Sequence, residues 1–266
     1  MENSDLTILR VQDPPKEKIK PLNPILPQPP SLLLMISPIR TGKSTIISNL
    51  LLNSQFYGPD YFDEVFCISP TIYNDATSRF LRKSFSCHDE YTDELVRGII
   101  QGQEAFDDNL QDRPEIALVL DDIIGQIRRE SYLNHLASRF RHYGIKLLLM
   151  SSQNYRSVSP VIRSNCTSMI IGSPFPNNKE LGKIAEEIGD QFGGADNFLK
   201  IYHTATPEKY DFLYLDLQSN PPIAYHNFES IVAYGGQKAD VETPVGAVTA
   251  GKASLNQSAT PEIKSS

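Results

Sequence analysis

The stretch Leu32-Leu33-Leu34-Met35-Ile36-Ser37-Pro38-Ile39-Arg40-Thr41-Gly42-Lys43-Ser44-Thr45 decides the reading of this chain. A short apolar run ends at a small, turn-forming segment. Gly42-Lys43-Ser44 follows, and then the apolar-periodic residues 46–52. Strand, loop and helix in that order form a cradle for phosphate. Loop amides wrap the phosphates, the lysine reaches the terminal ones, and the serine hydroxyl serves Mg²⁺. The helix N-terminus adds its positive dipole end. Residues Ser37, Pro38, Ile39, Arg40, Thr41, Gly42, Lys43, Ser44 and Thr45 are therefore the candidate nucleotide-binding loop. One departure is visible: the pattern G-x-x-x-x-G-K-[ST] places glycine where this chain has Ser37.

Further along, residues 116–120 run apolar straight into Asp121-Asp122. A continuous apolar run of that length suits a strand buried on both faces. The carboxylates then emerge at its C-terminal end, where open α/β sheets bind their ligands. Asp121 and Ser44 are the candidate Mg²⁺ ligands, because Mg²⁺ takes one or two carboxylates plus phosphate oxygens. Asp122 is placed to orient or deprotonate the attacking water, with Lys43 as its catalytic partner on the phosphates. Residues 145–153 form another buried strand that ends in a polar residue. If it pairs beside the Asp121 strand, Gln153 faces the γ-phosphate. Arg163 precedes an apolar strand at 166–172 and is a candidate for stabilising charge across a subunit boundary.

The rest of the chain fits one α/β domain. Residues 1–30 mix charge with dense proline and read as an extended arm, since proline blocks helix and central strand. Residues 63–71 are a second strand, and 74–104 are helical with an interruption near 86–89. A helix begins near Arg128 and ends at Gly144, with Arg139, Arg141 and His142 in its last turns, where cations suit the dipole. Residues 178–200 form a helix, and 210–217 with 221–228 form a terminal hairpin at the sheet edge. The domain spans 31–230, and 235–266 is expected to be a disordered tail, poor in large apolar groups.

Composition sets outer limits. The chain has 266 residues, 40% hydrophobic and 21% charged, and a net charge of −7. If nucleic acid is a partner, the contacts must be local or created by assembling several subunits, because there is no general basic surface. Three cysteines, Cys67, Cys87 and Cys166, show neither metal-ligand spacing nor a disulfide framework. The first residues lack the build of a signal peptide, and no apolar run reaches the roughly 20 residues of a membrane span. The expectation is a soluble, intracellular protein with no membrane span.

Taken together these features resemble a RecA-like (ASCE) P-loop NTPase, with a mostly parallel central sheet flanked by helices and a C-terminal edge hairpin. The combination resembles more narrowly the genome-packaging ATPases of large double-stranded DNA viruses, the poxvirus-type branch of the FtsK–HerA superfamily. The residues that carry this are Gly42-Lys43-Ser44, Phe62-Asp63-Glu64-Val65 running to Ser69-Pro70-Thr71, and Leu118-Val119-Leu120-Asp121-Asp122. His142-Tyr143-Gly144-Ile145 running to Ser152-Gln153 and Arg163-Ser164-Asn165-Cys166 complete the set.

The resemblance implies ATP and Mg²⁺ as cofactors and double-stranded DNA as a partner bound without sequence preference. It further implies a homo-oligomeric ring, hexameric in the family, that can dock on capsid vertex proteins. The site of action would be the host-cell assembly site and the virion. It implies that Gln153 senses the γ-phosphate and that Arg141 or Arg163 completes a neighbour's site. Arg128 and Arg129, just past the paired aspartates, are candidate DNA-channel residues. Ser37 and Arg40 stand where relatives carry glycine. A different class of function is an ATP-binding assembly or scaffold factor with little turnover, which the short Asp122 and Ser37 favour. A small-molecule kinase is disfavoured by the lack of a compact arginine-rich lid segment.

Overall fold

The apolar run at residues 31–36 forms strand β1 (Ser31–Ile36), every residue of it buried. In the computed structural model, which describes residues 22–106, 110–123, 131–175 and 178–236, this strand lies inside a nine-stranded sheet. After the loop, helix α1 (Lys43–Leu52) packs back on the sheet. Then come β2 (Glu64–Ile68), α2 (Arg79–Ser84), β3 (Ser86–His88) and α3 (Asp93–Glu104). The middle of the chain supplies β4 (Ile116–Leu120), α4 (Tyr132–Arg139), β5 (Ile145–Ser152), α5 (Pro160–Ser164) and β6 (Ser168–Gly172). The last part supplies α6 (Asn178–Ile188), α7 (Ala195–Ala205), β7 (Phe212–Asp216), β8 (Ile223–His226) and β9 (Ser230–Tyr234).

The strand order is β3-β2-β4-β5-β1-β6-β7-β8-β9. Pairing is parallel from β3 to β6 and antiparallel from β6 onward. The central strands are apolar on both faces because both faces are covered. Alternate residues of β1 divide between the two cores. Leu33 and Met35 pack with Ile47, Leu50 and Leu51 of α1. Leu32, Leu34 and Ile36 face the side covered by α3, α4, α6 and α7, with Val96, Leu136, Ile184 and Phe198 among the contacts.

Several elements differ from the sequence reading for local physical reasons. The interruption near 86–89 is itself a strand, β3, on the parallel edge beside β2. The helix read over 178–200 is two helices, because Gly193 and Gly194 both take positive φ and turn the chain between α6 and α7. The terminal hairpin continues into a third strand, β9, with a bulge at Ala224/Tyr225. Of the arm read over 1–30, the described residues include Leu26, which is buried in the α1-side core. Tyr57 donates its hydroxyl hydrogen bond to the Pro27 carbonyl there. The tail read over 235–266 lies, from 237 onward, outside the described residues, as do Arg128 and Arg129. No helix among the described residues is long and apolar enough to cross a membrane.

Candidate nucleotide-binding site

The C-terminal ends of β1, β5 and β4 meet at one point, because β5 pairs in parallel with both of the others. Register places Ser151 opposite Met35, and Ser152 opposite Ile36. Residues that stand far apart in sequence therefore converge.

The loop leaves β1 at Ser37, whose amide donates to the Ser152 carbonyl at 3.0 Å. Thr41 is buried and donates to the Pro38 carbonyl at 2.7 Å, while its hydroxyl also meets that of Ser37. These bonds close the loop on itself. Arg40 carries φ 63, a left-handed conformation that costs a non-glycine residue about 1–2 kcal/mol. Its side chain is exposed, so the conformation meets no packing obstacle. Ser37 fits for another reason: it abuts Gly172, where a β-carbon would overlap its hydroxyl. Gly42 takes φ 90 and starts α1, with no side chain capping the helix and no acid in its first turn. With neither a capping side chain nor an acid, the N-terminus of α1 keeps a positive dipole end of the kind that suits an anion.

Lys43 is 9% exposed, and its ammonium lies 2.6 and 2.8 Å from the two carboxylate oxygens of Asp122. Asp122 leaves β4 with φ 53, which turns its carboxylate back over the loop. Its amide donates to Ser151 Oγ at 3.0 Å, and Gln153 Nε2 donates to its Oδ2 at 3.1 Å. Asp122 thus occupies the ammonium that an anion at this loop would also contact.

Asp121 sits deeper. Ser151 donates to its Oδ1 at 2.5 Å and Ser69 to its Oδ2 at 3.1 Å. Burial raises its pKa above the ordinary carboxylate value, and the Asp122 charge adds to the rise. The Ser151 and Ser69 hydrogen bonds and the Lys43 charge work the other way. Ser44, Ser69 and Asp121 line one small cavity. A hydroxyl and a carboxylate are hard oxygen donors, which suit Mg²⁺.

The two candidate arginines are placed very differently. Arg163 lies 3.1 Å from Glu187 of α6, and its guanidinium sits over the Tyr155 ring at 4.9 Å. It is therefore engaged within its own chain. Arg141 is exposed in the turn Phe140–Tyr143 before β5, whereas Gln153 follows the end of that strand. The eight residues of β5 separate the two ends by roughly 25 Å.

Sequence reasoning missed four contributors. Ser69 is legible only as part of the Ser69-Pro70-Thr71 turn, with no role assigned, and Ser151 carries no signature beside its apolar run; strand register shows that both meet Asp121. Asp75 fell in a stretch read as helix. Burial works to raise its pKa, but hydrogen bonds from the Thr77 amide and the Ser44, Ser78 and Thr77 side chains prevail and lower it. The signal that could have found it is Asp75-x-Thr77-Ser78, an acid followed by hydroxyl residues at a helix start. The fourth is Tyr210, read as a strand residue, which lies outside β7 and beside Gly42.

No protein-family model matches the chain. Over 188 residues, 70% of each chain, it is 26% identical to the uncharacterised protein 075L of Invertebrate iridescent virus 6. The DNA-packaging ATPase B204 of Sulfolobus turreted icosahedral virus superposes with a TM-score of 0.55 and 15% identity, covering 75% of this chain and 98% of that one. The chain has the fold of B204. The genome-packaging NTPase B204 of Sulfolobus turreted icosahedral virus 2, solved in complex with ATP-gammaS, gives a TM-score of 0.54 at 15% identity, over 74% of this chain and 98% of that one. The architecture is thus the RecA-like P-loop NTPase sheet, with β5 inserted between the P-loop strand β1 and the aspartate strand β4.

Proposed function

We propose that this chain binds ATP with Mg²⁺ and hydrolyses it to drive double-stranded DNA into a viral capsid, acting as one subunit of a hexameric ring. The observation that carries the reading is the meeting of Lys43, Asp121, Asp122 and Gln153 at one end of a sheet folded like that of B204. In this proposal the 37–45 loop and the α1 amides hold the phosphates, and Lys43 passes from Asp122 to the β- and γ-phosphates. Ser44 and Asp121 are the metal donors; a bound Mg²⁺ neutralises charge on the phosphate oxygens. Released from Lys43, Asp122 orients and deprotonates the attacking water, and Gln153 stays within reach of both water and γ-phosphate. The ATPase domain is the segment read over 31–230, together with Leu26 in its core and the edge strand β9 to Tyr234, and capsid vertex proteins at the assembly site are the docking partners.

Arg141 is the arginine that serves a neighbouring copy. Its exposure and its distance from its own site support this, and the commitment of Arg163 to Glu187 and Tyr155 supports the choice between them. An arginine supplied across an interface stabilises the charge that develops in phosphoryl transfer.

The test is the steady-state ATPase rate of the full chain against protein concentration, with and without duplex DNA. The expected result is a rate per chain that rises steeply with concentration, is stimulated by DNA, and is lost in Lys43→Ala. Tight ATP binding with no product in a single turnover would replace the motor by an ATP-gated scaffold.

A further inference from the structure

The P-loop accounts for phosphates and leaves the rest of a nucleotide without a place. Next to it lies an open cavity of about 430 Å³ that begins at Thr45, in the first turn of α1, and runs out to Phe212 and Phe228. That volume is within the range of small-ligand sites. Its floor is aromatic, with the Phe212 and Phe228 rings edge-to-face at 5.2 Å between centroids. Its polar lining includes the amides of Asn23 and Asn49. Asn23 Oδ1 accepts from the Ile25 amide and Asn49 Nδ2 donates to the Thr45 carbonyl, while an amide NH₂ carries two donors and its oxygen two lone pairs, so each side chain keeps both a donor and an acceptor position. Among the described residues, the one charged side chain lining it is Glu229, which does not favour a further phosphate there.

Tyr210 forms the wall between this cavity and the P-loop. Its Cδ1 lies 3.8 Å from where a β-carbon on Gly42 would stand. The residue is 55% exposed, and its φ of 77 is a conformation that bulky residues rarely adopt. The turn that holds it is pinned on both sides. Glu208 donates its amide to Asp211 Oδ2 at 2.9 Å, and the Lys209 ammonium sits 4.7 Å from the Tyr210 ring centroid. A strained backbone that presents an aromatic ring beside a phosphate loop is the kind of feature that marks a binding position.

We propose that this cavity receives the purine base of the bound nucleotide, with Tyr210 stacking on the base and Asn23 and Asn49 meeting its polar edge. The proposal rests on the P-loop reading above. With the terminal phosphates on Lys43, the α-phosphate and sugar lead past Thr45, and the base follows into the cavity. The aromatic floor matches the faces of a heterocycle, and the amides match an edge that both donates and accepts.

The experiment is equilibrium binding of two probes, ATP and inorganic tripolyphosphate, to the full chain. Tyr210→Ala is expected to weaken ATP binding by about tenfold or more, as loss of a stacked aromatic does, and to leave tripolyphosphate binding unchanged. Retained tripolyphosphate binding also reports that the variant is folded. Tyr210→Phe keeps the ring and is expected to bind ATP as the wild type does. Lys43→Ala is expected to weaken both probes. If Tyr210→Ala leaves ATP binding intact, or weakens both probes equally, the base pocket is overturned and the P-loop reading stands. A wild-type chain that binds neither probe overturns both.

Discussion

At Ser37 the loop carries a hydroxymethyl group where the P-loop pattern has a hydrogen, and the room comes from Gly172 across the strand pair. Ile36 and Ile171 are register partners, which sets Ser37 against Gly172. A methyl group on Gly172 would overlap the Ser37 side chain. Gly172→Ala is therefore expected to cost about 1–3 kcal/mol in denaturant unfolding, the usual penalty for overpacking. The double variant with Ser37→Gly should recover most of that loss. Strictly additive effects would show that the two positions do not oppose each other. Single residues also show where the sequence was readable. Asp121 and Asp122 announce themselves by type at the end of β4, and Lys43 by the Gly42-Lys43-Ser44 motif at the start of α1. Ser151 and Tyr210 do not, and Ser69 shows only as part of a Ser-Pro-Thr turn with no role attached, because a hydroxyl beside an apolar run is equally compatible with a buried backbone contact. Their relevance comes only from the partners that strand register brings to them.

Among the elements, the parallel edge formed by β2 and β3 brings two cysteines together that the sequence spaces 20 residues apart. Cys67 and Cys87 are register partners. The hydrogen bond between the two thiols lowers the pKa of Cys87, burial opposes this, and the Arg82 charge adds to the lowering. The same bond, then burial, raises Cys67 well above its usual value. On β6's approach, burial pushes Cys166 up to about 12. Thiolate is the reactive form, so Cys87 carries the largest reactive fraction near pH 8. Iodoacetamide applied to the native chain should label Cys87 at least about tenfold faster than Cys166, as read by peptide mass mapping. Equal rates would contradict this ordering. The pairing of these thiols escaped the sequence reading for a plain reason: β3 is three residues long and looks like a helix interruption until it finds β2.

Across the whole molecule, the two candidate arginines divide by what already holds them. Arg163 is bound to α6, while Arg141 is exposed at the far end of β5. Arg141→Ala should keep nucleotide binding and lose about a thousandfold or more in hydrolysis, the scale of an arginine supplied in trans. Mixing that variant with Lys43→Ala should restore activity at roughly a quarter of the sites in a closed ring, where an intact loop meets an intact arginine. No recovery on mixing would place the arginine's action within its own chain. From the sequence alone came the alternating α/β class, the candidate phosphate loop and the paired aspartates at the end of an apolar run, because apolar runs and turn-forming residues are local signals. Tertiary structure alone decided that β5 lies between β1 and β4, that Asp122 grips Lys43, and that Ser69 and Ser151 hold Asp121. It also split the helix at Gly193 and Gly194 and added β9 to the edge. The physical reason is that strand order and register are set by packing between distant segments, and side chains at strand ends acquire their chemistry from whichever strand becomes their neighbour.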